Sequence, residues 1–265
     1  MLNEETSEGY LVDLSSTVTG WDKPREKLRK AFSQNEFILY SQPIIKLGPG
    51  ERGREHFEVF IRMKEEEDLM IPPGSFLPML EYFSLGPTLD RYVLRKLLES
   101  YRSIKPGQRG IAHVGLCNDT LASPEFCAFV QEELKRTKTA GELLCFQFPG
   151  NEVNDPTSTA ALADGLKKIG CQLSVGAMDD KEISFDAIKQ FGARFLKISG
   201  RLMQGLEQSE SIAAEVGAVA SKCRWLGVQT IAQNVDNALT LDLLRKLDIS
   251  FAQGHGIASP APLAE

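Results

Sequence analysis

Positive charge is the first thing this chain is short of: 30 Lys and Arg stand against 36 Asp and Glu, a formal net charge of −6. No long basic tract breaks that balance, so duplex DNA or RNA is not an expected partner, because polyanion binding needs clustered cations. Long apolar runs are missing too. Nothing approaches the roughly 20 residues a bilayer-spanning helix needs, and no signal-peptide pattern follows Met1, so no membrane insertion is expected. Histidine is scarce: His56, His113 and His255 are isolated in the sequence and no CxxC pair exists, which removes the usual basis of a zinc site. The cysteines are five, an odd set (Cys117, Cys127, Cys145, Cys171, Cys223) scattered through apolar stretches. They read as reduced core thiols of a cytoplasmic protein.

What is present is ordinary globular material, 42% hydrophobic and 25% charged over 265 residues. That length fits one large domain, because α/β barrels reach this size without splitting. Residues 1–24 read as a polar linker or extension and 25–265 as the domain. Pro24 opens a helix. Runs 37–45 and 57–62, separated by a Gly/Pro turn, read as an antiparallel hairpin. The rhythm then changes. Helical periodicity at 76–83, 89–101, 124–136, 158–169, 185–191, 212–226 and 238–247 alternates with short apolar runs at 111–116, 143–148, 173–175, 195–198, 228–232 and 251–252. Gly170 and Gly227 stand where two of these helices stop. Such alternation means βα units and a parallel sheet. About eight strands without a Gly-rich fingerprint after the first favour a closed barrel over a doubly wound sheet. The fold expected is α/β, a modified TIM (β/α)8 barrel with one antiparallel strand.

Chemistry in such a barrel sits at the C-terminal ends of the strands. Those ends supply Arg62, Gly115 to Asn118, Gln147-Phe148, Gly176-Ala177, Lys197 to Ser199, Gln233 to Asp236, and Gln253. The set is polar but poor in carboxylates, and no nucleophile, base and orienting group stand together in it. Elsewhere the plain reading prevails. The acidic run 65–68 is a solvated loop, His113 a hydrogen-bonded core histidine, and Met178, Met203 and the Phe stripes are core. For His255 the structural and ligand-facing readings are even.

The order of several motifs is similar to that of the EAL domain family of cyclic di-GMP phosphodiesterases and their non-catalytic relatives. Gln42-Pro43-Ile44 comes first, then Glu58-Val59-Phe60-Ile61-Arg62, then Pro72-Pro73 with Phe76 and Glu81. Lys197-Ile198-Ser199 falls where the family has Lys-Ile-Asp. Ala232-Gln233-Asn234-Val235-Asp236 falls where it has Ala-Glu-Gly-Val-Glu, and Gln253-Gly254 with Pro260 close the match. The resemblance covers residues 25–262 and implies the same barrel.

The departures bear on activity. Active members hold two divalent metals with Glu, Asn and Asp, and such hard cations need several anionic oxygens each. Here the resemblance leaves Glu58, but puts Gly115 at the family's Asn, Gln147 at its strand Glu, Gly176-Ala177 at its Asp-Asp pair, Ser199 at its later Asp and Gln233 at its later Glu. Recruiting Asp179-Asp180 instead would require an insertion before the pair and an equal deletion after it. Asn118-Asp119 would recover a single ligand only. The expectation is a degenerate domain with no catalytic residues, no metal and no cofactor.

Losing the metals need not lose the ligand. By the resemblance, Gln42, Glu58, Phe60, Arg62, Asp90, Lys197, Asp236 and Gln253 are the candidate ligand-binding residues. Arg62 suits a phosphate, Asp236 a guanine edge, Asp90 the second guanosine, and Phe60 or Phe76 a stacked base. Lys197 is read two ways, as a phosphate ligand or as a partner for Glu58. The substitutions resemble those of FimX-type receptors, which implies cyclic di-GMP binding without hydrolysis and a role in motility or biofilm control. It also implies protein partners such as a PilZ-type adaptor, an upstream sensory or GGDEF-like domain, or a second copy of the chain. The alternative is a nucleotide-free protein-interaction module. Asn234, a side chain where the family has Gly, favours it.

Overall fold

Aromatic and β-branched residues bounded by a Gly/Pro turn form the expected hairpin, β1 (Phe37–Lys46) antiparallel to β2 (His56–Lys64). The computed structural model describes residues 21–48, 53–65, 69–149, 155–176, 185–198 and 200–263. Most of the expected linker, the acidic run 66–68, Ala177 to Asp180 with Met178, and Ser199 lie outside the described residues.

Six further strands follow β2 in parallel order: β4 (Ile111–Gly115), β5 (Leu144–Phe148), β6 (Gln172–Val175), β7 (Phe195–Ile198), β8 (Gln229–Ala232) and β9 (Phe251–Ala252). β9 then pairs antiparallel with β1, which closes the ring. β1 is therefore the antiparallel strand of an eight-stranded barrel. Two short strands extend the hairpin above it: β3 (Met70–Ile71) on β2 and β10 (Ala261–Pro262) on β1. Pro43 is tolerated in β1 because it falls between the β10 pairing at Tyr40–Ser41 and the β9 pairing at Ile45–Lys46, where no neighbour needs its missing N–H.

Helices α1 (Pro24–Ser33), α2 (Pro73–Tyr82) and α3 (Gly86–Ser103) come before β4. α4 (Asn118–Leu121) and α5 (Glu125–Thr137) follow it. Then come α6 (Pro156–Lys168), α7 (Phe185–Phe191), α8 (Gly200–Gly205), α9 (Glu210–Trp225) and α10 (Ala238–Lys246). Their starts are chemically marked. Asp155 accepts the Thr157 and Ser158 amides at 3.0 Å each, and Asn237 accepts that of Thr240 at 2.9 Å. Gly170 (φ 87°) and Gly227 (φ 72°) do stand just past helix ends in the left-handed region.

The strand and helix positions read from periodicity hold. The short elements β3, β10, α4 and α8 were not anticipated, because a two-residue strand or a single helical turn carries too little pattern. Phe76 is a correction: it is fully buried against Phe37, ring centroids 5.5 Å apart, and no ligand can stack on it. Two of the three histidines, far apart in sequence, come together in space. His56 and His113 meet inside the barrel, where Phe195 and Phe251 complete an aromatic plug. Cys145, Cys171 and Cys223 are buried free thiols, whereas Cys117 and Cys127 are only half-buried.

Among the described residues five non-glycine side chains hold a left-handed φ: Asn35, Ser84, Lys138, Asn234 and Asp248. Lys138 ends α5 at φ 51°, ψ 44°, a conformation that costs a side chain roughly 1–2 kcal/mol and glycine almost nothing. Lys138→Gly is expected to raise stability by about 1 kcal/mol in urea unfolding; a loss of stability would contradict this account.

Candidate functional site

Side chains alternate along a strand, so one known inward residue sets the rest. His113 faces the barrel interior and pairs in register with Glu58 of β2 and Cys145 of β5. Two residues on, Gly115 and Gln147 share that face. The same alternation continues through Ser174 to Gly176, Phe195 to Lys197, Ile231 to Gln233 and Phe251 to Gln253. Gly115, Gln147, Gly176, Lys197 and Gln253 therefore share the inward face at the C-terminal ends of the strands.

At its centre is a buried polar network. Lys197 Nζ lies 2.6 Å from Glu58 Oε1, and Gln253 Nε2 donates to Glu58 Oε2 at 2.6 Å. The Gln253 amide also reaches Gln42 Oε1 at 2.9 Å, and Gln42 Nε2 donates to the Ala258 carbonyl at 2.8 Å. Lys197 is 1% exposed and Glu58 8%. Both carboxylate oxygens are thus engaged, and a buried cation neutralises the buried anion. Lys197 makes the ion pair with Glu58. Glu58 is not a bare repulsive charge. Among the described residues, no three His, Cys, Asp or Glu side chains converge as a metal site.

Polar atoms of this face stay unmatched among the described residues: Gln147 Oε1, Gln253 Oε1 and, beside Gln147 in register, Ser174 Oγ are buried without a hydrogen-bond partner. Gly176 sits tight against Gln147, since a Cβ there would come 3.0 Å from Gln147 Nε2. Beneath the network, His56 Nδ1 and His113 Nε2 are 3.0 Å apart. Burial, aided by the Arg194 cation, pulls His56 down to about 4. Burial, then Lys197, then His56 hold His113 well below the usual imidazole range. Both rings are neutral at physiological pH.

Above the layer, β1 and β2 run on past the barrel, flanked by β10 and β3. Phe60 and Arg62 continue the inward face of β2, both half-buried. The Arg62 guanidinium lies over the Tyr40 ring, 5.7 Å from its centroid, and donates to the Ile61 carbonyl at 3.0 Å. Among the described residues no carboxylate pairs with it.

The remaining candidates lie apart. Asp236 is exposed on the segment after β8, and His255 is exposed as well. Asp90 is 4% exposed on α3, where its Oδ2 accepts the Cys117 amide at 2.9 Å, and burial pushes its carboxyl up to about 6. It holds the segment after β4. Asn234 adopts φ 54°, a left-handed conformation that Asn tolerates better than most side chains. Its amide lies against Gly200, where any Cβ would collide with it. Sequence reasoning missed Tyr40 and the histidine pair. Counting back by two from Gln42 and from Glu58 finds Tyr40 and His56.

The buried pair makes a clear mutational expectation. Lys197→Met is expected to cost about 3–5 kcal/mol of stability by stranding Glu58, and adding Glu58→Met to recover much of that loss. Urea unfolding of the single and double variants measures both, and a harmless Lys197→Met would contradict the account. Acid sensitivity has a definite sign. Because its folded pKa is depressed, His56 costs stability as pH falls from about 6.5 to about 4. Asp90, raised from 3.8 to about 6, is more protonated in the folded state between those values, so falling pH stabilises through it. Asp90→Asn removes the opposing contribution and is expected to steepen the loss of stability between pH 6 and pH 4; an unchanged or shallower profile would contradict it.

Residues 25–260 match the EAL domain family. The cyclic di-GMP phosphodiesterase PdeB of Shewanella oneidensis is 25% identical over 245 residues, covering 90% of this chain and 28% of that protein. The cyclic di-GMP phosphodiesterase PdeF of Escherichia coli is 26% identical over 243 residues, covering 90% of this chain and 32% of that protein. The chain thus spans about a third of the length of these curated relatives. Among solved structures, the FimX EAL domain of Pseudomonas aeruginosa bound to c-di-GMP superposes with a TM-score of 0.80 at 24% identity, over 88% of this chain and 94% of that one. The FimX EAL domain of Xanthomonas citri in complex with c-diGMP gives 0.82 at 21% identity, over 91% and 94%. With its closed barrel, antiparallel first strand and ordered motifs, this chain belongs to the EAL domain family.

Proposed function

We propose that this domain is a receptor for cyclic di-GMP that does not hydrolyse it. The observation that carries the proposal is the ion pair at the centre of the barrel, with Lys197 2.6 Å from the Glu58 carboxylate. A two-metal mechanism needs several free anionic oxygens around each cation. Among the described residues the layer offers one carboxylate, already bonded through both oxygens, and otherwise Gln147, Gln233, Gln253 and glycine. This donor set does not fit two divalent ions, and no hydrolytic step is assigned to them.

The same pair supports ligand binding. A divalent site without its metals would present uncompensated negative charge to an anionic dinucleotide. Lys197 supplies that compensation from inside the protein. Arg62 then stands at the mouth with free donor capacity for a phosphate, and Phe60 offers a half-buried ring on the same face. That relatives and structural neighbours carry cyclic di-GMP in their names adds to this reading. The output we infer is signalling in motility or biofilm control. It would run through a protein partner such as a PilZ-type adaptor, a sensory or GGDEF-like domain elsewhere in a longer protein, or a second copy.

A second reading, a nucleotide-free interaction module, is favoured by Asn234, whose amide lies against Gly200, and by Asp90, whose carboxylate is taken up by the Cys117 amide. Calorimetric titration with cyclic di-GMP separates the two. The receptor reading expects saturable binding that magnesium leaves unchanged, no linear dinucleotide product, and a loss of about 10–100-fold in affinity for Arg62→Ala. No heat with or without magnesium selects the interaction module; product formation with magnesium or manganese overturns both.

A further inference from the structure

The guanidinium of Arg62 is not where its backbone alone would leave it. Arg62 is the direct cross-strand partner of Ile38, yet its charged end lies over the ring of Tyr40, the next inward residue along β1. Going from Ile38 to Tyr40 is a step towards Gln42 and Glu58, and so towards the buried network. A long, flexible side chain has many rotamers, and water would accommodate most of them. Two contacts select this one: the Ile61 carbonyl at 3.0 Å and the face of the Tyr40 ring at 5.7 Å.

Tyr40 is itself firmly placed. It pairs with Phe60 on one side and with Pro262 of β10 on the other, and Leu263 N donates to the neighbouring Leu39 carbonyl at 2.8 Å. Its ring therefore stands on a strand held from both edges, half-buried on the inward face.

From this geometry we infer that Tyr40 is a positioning residue of the ligand site: its ring holds the Arg62 guanidinium over the barrel mouth for a phosphate of the ligand. The inference rests on the receptor reading and deepens it. Tyr40 acts through Arg62, by restricting where the cation can be before the ligand arrives, which spares the ordering cost at binding.

The test is a double-mutant cycle on the full chain, with cyclic di-GMP binding read by calorimetry and folding checked by thermal unfolding. Tyr40→Leu keeps an apolar side chain on the strand and removes the ring, and is expected to weaken binding about 5–20-fold. Tyr40→Phe keeps the ring and is expected to bind within about twofold of wild type. In the Arg62→Ala background, Tyr40→Leu is expected to add nothing, because its effect passes through the missing cation. If the wild-type protein does not bind, the receptor reading falls and this inference with it. If wild type binds and Tyr40→Leu binds equally well, only the inference is overturned. A Tyr40→Leu loss that persists in full without Arg62 would mean that Tyr40 acts on the ligand directly, and a Tyr40→Phe loss as large as that of Tyr40→Leu would mean that the hydroxyl matters and not the ring; either outcome overturns the positioning role.

Discussion

A lysine and a glutamate taken out of water together at the centre of a barrel constrain everything around them. Each charge alone would carry a desolvation penalty of several kcal/mol, so neither is tolerable without the other. Lys197 comes from β7 and Glu58 from β2, across the barrel interior, and they meet only if the ring has closed. Gln253 of the segment after β9 and Gln42 of β1 extend the pair into a network ending on the Ala258 carbonyl, which ties the C-terminal segment to the first strand. The place where β1 closes the ring against β9 is thus also where the polar network is anchored.

That arrangement separates the interior into two chemistries. Below, two neutral histidines bonded to each other are packed among Phe195 and Phe251, and burial keeps them uncharged. Above, the described residues of the layer form one salt bridge surrounded by carboxamides and glycine. Higher still, the β1–β2 ribbon rises out of the barrel and carries Tyr40, Phe60 and Arg62 on its inward face. Among the described residues Lys197 balances Glu58 inside the barrel, and Arg62 stands over Tyr40 on the ribbon above it. This gradient, from neutral plug to internally neutralised layer to a mouth bearing a cation, is the physical basis for reading a receptor in a fold whose relatives include phosphodiesterases.

Much of this was legible from residues alone. The alternation of apolar runs with helical periodicity, and the absence of a Gly-rich fingerprint, led to the closed barrel, because burial pattern follows backbone period. The position of Arg62, Gln147, Lys197, Gln233 and Gln253 at strand ends was readable from the same pattern. Less legible were features that need a partner strand. β3 and β10 exist only because β2 and β1 offer them an edge. Phe76 looks from sequence like any aromatic near a strand end, but Phe37 buries it completely. Asp90 looks like an available carboxylate, but α3 turns it under the Cys117 amide.

Composition, period and residue order, local properties of the chain, determined the class of fold, the antiparallel start, and the poverty of carboxylates at the strand ends. The tertiary structure alone decided the pairings: Lys197 with Glu58, His56 with His113, Arg62 over Tyr40, and Asn234 against Gly200. These depend on distances between residues as many as 139 positions apart. Side-chain charge and shape set what such pairs are worth, but only chain closure brings them within reach.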